Sequence, residues 1–346
     1  MTSTHRLLTR LGAIAAVAAL GLSTAACGAN AAATATGARS QGKVVIYTNA
    51  DDEAVTAFKH ALDNSGFAGK YVMQGFGTSE LGGKLLAEGT GIEADLITMS
   101  SYYVDSVQTK HHMFATLTDV KSKPLDASTP DYRRPTTSQE GAIFTNTEAL
   151  KAAGLQAPTS VKDLADPQYQ GQIAFPDMEG SSTGWLMVQD IIGAYGEGAE
   201  GQRILTDFFR NAGPHAEQSD AAPLKDVRSG ETAIGFGLRH QAAADKAKGL
   251  PIDFVDPSEG NYSLTESVAV IDKGATTKPD AQKMAAAIID QGRAELIKTY
   301  PNPLYEGEQE PANHSAHPKT FGQPLTADLL QQHLKFSEAA KRASRA

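Results

Sequence analysis

One cysteine in 346 residues leaves no partner for an internal disulfide, so Cys27 needs another role. Basic residues are outnumbered, 31 Lys and Arg against 40 Asp and Glu, for a net charge of −9. That balance argues against a nucleic-acid partner, which favours a basic surface. It leaves room for a small ligand, because a local positive pocket can form in an acidic protein. There is no His-Glu-x-x-His and no P-loop, and the serines come without an evident base. His111-His112 lacks a third ligand at helix or hairpin spacing and reads as a solvated helix end. No catalytic residue, metal or cofactor is expected. No repeat suggests an adhesive or structural array. Trp185 is the single tryptophan and reads as a packing residue.

What is present begins with an export signal. Arg6 and Arg10 precede an apolar stretch from Leu11 to Leu22, and small residues then lead to Cys27. The apolar run is too short for a confident membrane span. Leu22-Ser23-Thr24-Ala25-Ala26-Cys27-Gly28 resembles a bacterial lipobox, with Thr24 where Leu is usual. The resemblance implies cleavage before Cys27 and its lipidation, with anchoring to the outer face of the cytoplasmic membrane. Residues 1–26 are then a signal peptide and 27–42 a tether of Ala, Thr, Gly, Ser and Asn.

From residue 43 onward, β-branched runs alternate with amphipathic segments. Strands are expected at 43–48, 71–76, 94–99, 141–146, 172–175, 233–237, 252–255 and 263–271, with helices between most of them. This alternation predicts α/β architecture with mostly parallel sheets flanked by helices. The first three strands end in residues suited to helix caps: Asn49 to Asp51, Thr78-Ser79 and Ser100-Ser101. Ligands of open α/β sheets bind at the carboxyl ends of strands, so these turns are expected along one rim. A fourth turn, Ser181-Ser182-Thr183 before Gly184-Trp185, follows the run Gln172 to Phe175. A helix start presents free N–H groups and the positive end of its dipole to an anion.

The run Asp163-Leu164-Ala165-Asp166-Pro167-Gln168-Tyr169-Gln170-Gly171-Gln172-Ile173-Ala174, followed by the Ser/Thr-Gly segment, carries a family resemblance. It is similar to the start of the second lobe in solute-binding proteins of bacterial ABC importers. The group concerned handles ferric ion, thiamine, phosphonates and sugar phosphates. The resemblance spans about residues 43–346 and implies a two-lobed type II periplasmic-binding-protein fold joined by two crossing strands. Lobe 1 is expected from 43–139 and 272–346, and lobe 2 from 140–271 with both hinge strands. Ferric-ion members carry adjacent tyrosines at the junction where this chain has Arg239-His240. Guanidinium repels Fe(III) and suits a phosphonate or carboxylate.

The expectation is therefore a monomeric solute-binding component that takes a small anionic ligand and delivers it to an ABC permease. 2-Aminoethylphosphonate or a related phosphonate or organophosphate leads. Expected ligand residues are Asn49, Thr78, Ser79, Ser100, Ser101, Ser181, Ser182, Thr183, Arg239 and Glu266. Glu259 and Glu266 are available to an ammonium group. Ferric ion bound by Tyr102, Tyr103, Tyr262 or Tyr305 is the alternative. A polyamine, thiamine or carboxylate stays open as ligand, and an exported α/β enzyme is the remaining class.

Overall fold

The computed structural model describes residues 42–346; the expected signal peptide, Cys27 and the tether as far as residue 41 lie outside the described residues. The chain runs β1 (Val44–Thr48), α1 (Asp52–Leu62), β2 (Tyr71–Gly75), α2 (Thr78–Glu88), β3 (Leu96–Ser100) and α3 (Ser101–His111). It continues β4 (Arg134–Asn146), α4 (Thr147–Ala153), β5 (Ile173–Pro176), α5 (Ser182–Tyr195), α6 (Ala199–Ala212), β6 (Ala216–Glu217) and α7 (Ala222–Ser229). Then follow β7 (Ile234–Leu238), α8 (Arg239–Ala247), β8 (Ile252–Val255), β9 (Asn261–Val270), α9 (Pro279–Asp290), α10 (Arg293–Thr299), β10 (Pro318–Lys319) and α11 (Ala327–Ser344).

Helices cover both faces of the central strands, so these strands read as mostly apolar runs rather than alternations. Every residue of β1 and of β3 is buried. α5 is buried without interruption from Thr183 to Ile192, the pattern of a helix enclosed on all sides. α6 instead shows one apolar stripe, Ile204, Leu205, Phe208, Phe209 and Ala212.

One sheet runs through both lobes in the order β2-β1-β3-β9-β4-β7-β5-β6. β1, β2 and β3 are parallel, as are β5, β6 and β7. The antiparallel pair β4–β9 joins the two halves, with Thr137 opposite Glu266 and a register shift between Pro135 and Thr137. The far end of β4 pairs with β7 and β8 in the second lobe. Both crossing strands anticipated from the sequence are present. The first begins at Arg134, seven residues before the strand expected at 141–146.

α9 packs on α1 in the first lobe, where Met284 and Ile288 share a core with Phe58 and Leu62. α11 belongs elsewhere. Its buried stripe of Leu329, Leu330, His333, Ser337 and Ala340 meets second-lobe helices, and Trp185 Nε1 of α5 donates to His333 Nδ1 at 2.8 Å. The assignment of all of 272–346 to lobe 1 is corrected for this helix. The segment before it recrosses the hinge, and β10 pairs with Asn261 and Tyr262 of β9. Trp185 is fully buried, edge-on to Tyr102 of α3 at 5.0 Å, and is a packing residue.

Asp190 in α5 is also fully enclosed. Burial, and then the charge of Glu259, push its carboxyl well above the usual range. The unfolded chain ionises this group near pH 4 while the folded chain holds it neutral. Stability from this site is thus full below pH 4 and falls as pH rises. Asp190→Asn is expected to raise the melting temperature more at pH 8 than at pH 4. Equal shifts at both pH values would remove the assignment.

Candidate functional site

A cleft of about 460 Å³ opens between the lobes, where β1 and β2 end and α1, α2, α5, α7 and α8 begin. The first lobe contributes residues 49–53 and 76–78, and the hinge strands contribute Gln139 and Glu266. The second lobe contributes residues 180–183, the loop 218–221, and Gln241. The lobes touch across the opening. Ser79 Oγ donates to the Glu179 carbonyl at 2.9 Å, and Thr78 Oγ1 lies 3.4 Å from Ser182 Oγ. At the back wall Asp51 Oδ2 faces His240 Nε2 at 3.1 Å, and Tyr300 OH donates to Asp51 Oδ1.

Five carboxylates line this volume: Asp51, Asp220 and Glu266, together with the exposed Asp52 and Glu53. Asp51 caps α1 through Ala54 N at 3.0 Å. Burial opposes its ionisation, but the adjacent His240 and the bonds from Tyr300 and Ala54 outweigh burial and hold the carboxyl below its usual range. Asp220 is pushed up by burial and then by the charge on Asp51. Glu266 is pushed up by burial to about 7. Bonds from Ser100 and Asn49 offset part of that rise, while Asp51 and Asp220 add to it. Ser100 Oγ donates to Glu266 Oε1 at 2.8 Å. The Asn49 carboxamide is satisfied with its nitrogen on Glu266 Oε2 at 2.7 Å and its oxygen accepting from Thr78 Oγ1 at 2.9 Å. Two cations, Lys225 and Arg228, stand at the exposed rim, and Arg228 Nε is already bonded to Asp245. The floor is acidic, and the exposed rim carries both signs, since Asp52 and Glu53 stand there too.

This two-lobed cleft has counterparts. Residues 94–322 match the family model described as bacterial extracellular solute-binding protein. The chain belongs to this family. Its role is that of the extracellular solute-capturing component of an ABC importer. The spermidine/putrescine-binding periplasmic protein of Escherichia coli is 26% identical over 252 residues, covering 66% of this chain and 68% of that protein. Iron-bound HitA from Pseudomonas aeruginosa has a TM-score of 0.68 at 20% identity, covering 86% of this chain and 99% of that one. AfuA from Actinobacillus pleuropneumoniae, with fructose-6-phosphate bound, has a TM-score of 0.65 at 19% identity, covering 87% and 95%. Among the described residues no helix is long and apolar enough to cross a membrane.

Six of the ten expected ligand residues line the cleft of this solute-binding protein: Asn49, Thr78, Ser181, Ser182, Thr183 and Glu266. Ser100 stands directly behind Glu266. Ser79 makes the interlobe bond described above and does not line the cavity. Ser101 is corrected: its hydroxyl pairs with Ser267 Oγ at 2.7 Å, and it lines a separate cavity. Arg239 is corrected as well. Its Nε and Nη2 grip Asp256 at 2.7 and 3.2 Å, and Nη1 and Nη2 donate to the carbonyls of Asn313 and His314 at 2.7 and 3.1 Å. With its side chain 7% exposed and stacked on Phe254, no donor set remains for a ligand. Glu259 likewise serves the fold, accepting from Val161 N, Lys162 N and Tyr195 OH. None of Tyr102, Tyr103, Tyr262 and Tyr305 lines the cleft, Tyr305 OH donating to the Pro135 carbonyl, and Tyr300 stands behind Asp51 with its hydroxyl bonded to it. Asp51, Glu53 and His240 bring one ligand-type atom each within 4.8 Å of one another, the one such trio among the described residues. Asp51 Oδ1 is engaged by the N-cap and by Tyr300, whereas Asp51 Oδ2 and His240 Nε2 face each other at 3.1 Å without hydrogen-bond geometry.

Asp220, Gln139, Gln218 and Gln241 were missed. They sit on a hinge strand, a loop and a helix start with no local pattern to mark them. Gly180-Ser181-Ser182-Thr183-Gly184 also spells Gly-x-Ser-x-Gly after a strand, the spacing of a nucleophile elbow. The geometry differs. Ser182 lacks the strained backbone of an elbow, since His112 is the one non-glycine residue with positive φ among the described residues. The neighbour of Ser182 Oγ is Thr78, and no imidazole is bonded to it among the described residues.

Gly184 is needed for close approach. A Cβ there would stand 2.3 Å from the Pro176 carbonyl and 2.6 Å from Met178 N, both backbone atoms that cannot rotate away. Gly184→Ala is expected to cost about 1–3 kcal/mol in urea unfolding by overpacking the turn. An unchanged midpoint would contradict this.

Proposed function

We propose that this solute-binding protein captures a compact polar solute bearing a protonated amine. The observation that carries this reading is the convergence of Asp51, Asp220 and Glu266 on the cleft floor. Like charges held together out of water raise one another's pKa, and a cation relieves them. A purely anionic ligand would meet that floor unfavourably, which favours the zwitterion among the expected phosphonates and moves the support for it from Arg239 to the carboxylates. 2-Aminoethylphosphonate fits: its ammonium suits the carboxylates, and its phosphonate suits Thr78, Ser182 and Thr183 at the starts of α2 and α5, with Lys225 at the rim. We also propose that Cys27 is lipidated and holds the protein at the outer face of the cytoplasmic membrane. Metabolic labelling with an alkynyl palmitate should mark wild type and not Cys27→Ser.

A diamine is the second reading, favoured by the same acidic floor and by the binding named for the E. coli relative. Against it, Phe76 is the one aromatic residue on the cleft wall, which offers little to an alkyl chain. Ferric ion lacks the phenolates it would need.

A thermal-shift panel separates these readings, because a ligand that binds only the folded state raises the melting temperature. 2-Aminoethylphosphonate should stabilise and ethylphosphonate, which lacks the amine, should not. Stabilisation by putrescine alone would select the diamine. Equal stabilisation by both phosphonates, or by ferric citrate with a visible charge-transfer band, would overturn the amine requirement.

A further inference from the structure

We infer that Lys341, near the end of the chain on α11, is the positioning residue for the ligand-facing turn 177–182. Its ammonium donates to Asp177 Oδ2 and reaches Glu179 Oε1 at 3.3 Å, with its side chain 16% exposed. Asp177 organises the turn from within. Its Oδ1 accepts from Glu179 N at 3.0 Å, and its carbonyl accepts from Gly180 N at 3.1 Å and Ser181 N at 2.9 Å. Its own N–H donates to the Glu217 carbonyl at 2.6 Å. Ser79 of the other lobe bonds the Glu179 carbonyl, and Ser182 meets Thr78. Lys341 therefore holds from behind the turn that carries two of the cleft hydroxyls, Ser181 and Ser182, and the contacts to Ser79 and Thr78 of the other lobe.

No other cation is paired with Asp177 or Glu179 among the described residues. Removing the ammonium leaves two carboxylates beside the start of α5 without a cation, Asp177 keeping only its bond from Glu179 N. The rest of α11 is held independently by its buried stripe, and the Lys341 ammonium lies 5.8 Å from the Phe209 ring centroid. A methionine at 341 keeps an unbranched apolar chain there and removes the ammonium with its ion pairs.

The inference rests on the cleft being the ligand site, and the test separates the two. Amide hydrogen exchange is measured on the ligand-free wild-type protein, Lys341→Met and Lys341→Arg. In Lys341→Met, amides 179–184 should exchange at least about 10-fold faster, those of 330–340 should not change, and Lys341→Arg should restore protection. Unchanged exchange at 179–184 overturns the inference, as does faster exchange spread equally over 330–340. Lys341→Gln serves the same comparison if the methionine variant does not fold. In parallel, 2-aminoethylphosphonate and putrescine are titrated into each protein. Weakening by about 10-fold in Lys341→Met with rescue by Arg supports the assignment. If neither compound binds wild type, the ligand reading fails while the exchange data still decide the role of Lys341.

Discussion

Glu266→Gln should weaken binding of an amine-bearing ligand by about 30-fold or more, measured by calorimetric titration with 2-aminoethylphosphonate and putrescine. Removing one partner of a buried, hydrogen-bonded charge pair costs about 2–5 kcal/mol. Glutamine keeps the shape and the contact with Ser100 while removing the charge. The pH dependence sharpens the test. Burial raises the carboxyl from its reference value of 4.5 to about 7. In the empty protein its contribution to stability is full below pH 4.5 and is lost as pH rises to about 7. An ammonium ligand binds the ionised form, so its affinity should fall towards tenfold per unit as pH drops below about 7. Glu266→Gln should flatten that profile. An affinity independent of pH between 5.5 and 8, or full affinity in the Gln variant, would remove Glu266 from the site.

Arg239→Ala should cost about 3–5 kcal/mol of folding stability, because it leaves the enclosed Asp256 carboxylate without its cation. It also strips hydrogen bonds from the carbonyls of Asn313 and His314. The pair is enclosed, the two side chains being 7% and 12% exposed. Burial opposes ionisation of Asp256, but Arg239 and Ala316 N–H outweigh it and hold the carboxyl below its usual range. The stability it provides is therefore present above the unfolded-state value and lost in acid. Urea unfolding at pH 7 is the measurement. Arg239→Lys should recover only part of the loss, since an ammonium cannot reproduce the bidentate grip together with two carbonyl contacts. A near-normal midpoint in Arg239→Ala, combined with lost ligand affinity, would return Arg239 to the cleft.

Most of the architecture was legible in the sequence, because burial on both faces writes strands such as Val44–Thr48 and Leu96–Ser100 as short runs of mostly apolar and β-branched residues. The rim of capping turns was legible too, since Ser and Thr at helix starts mark themselves locally. Arg239 was misread because its partners are tertiary. Asp256 lies 17 positions on, and the two carbonyls about 75 positions on, in a loop without regular structure. The acidic floor was hidden for the same reason: residues 51, 220 and 266 come together only when β1, the loop before α7, and β9 are assembled. The placement of α11 was hidden because an amphipathic stripe tells that a helix is covered, not which lobe covers it.

The hinge strands carry a consequence for how recognition and movement divide. Gln139 and Glu266 lie on the strands that join the lobes, whereas Thr78 and Ser182 lie out on the lobes themselves. A group on a rotation axis barely moves when the angle changes. If the lobes turn about these strands, the amine site proposed at Glu266 keeps one geometry whether they are apart or together, while the hydroxyls far from the axis travel on long lever arms. The proposed order of recognition is then charge first, at the pivot, and length second, by whether the solute reaches far enough to draw the levers in.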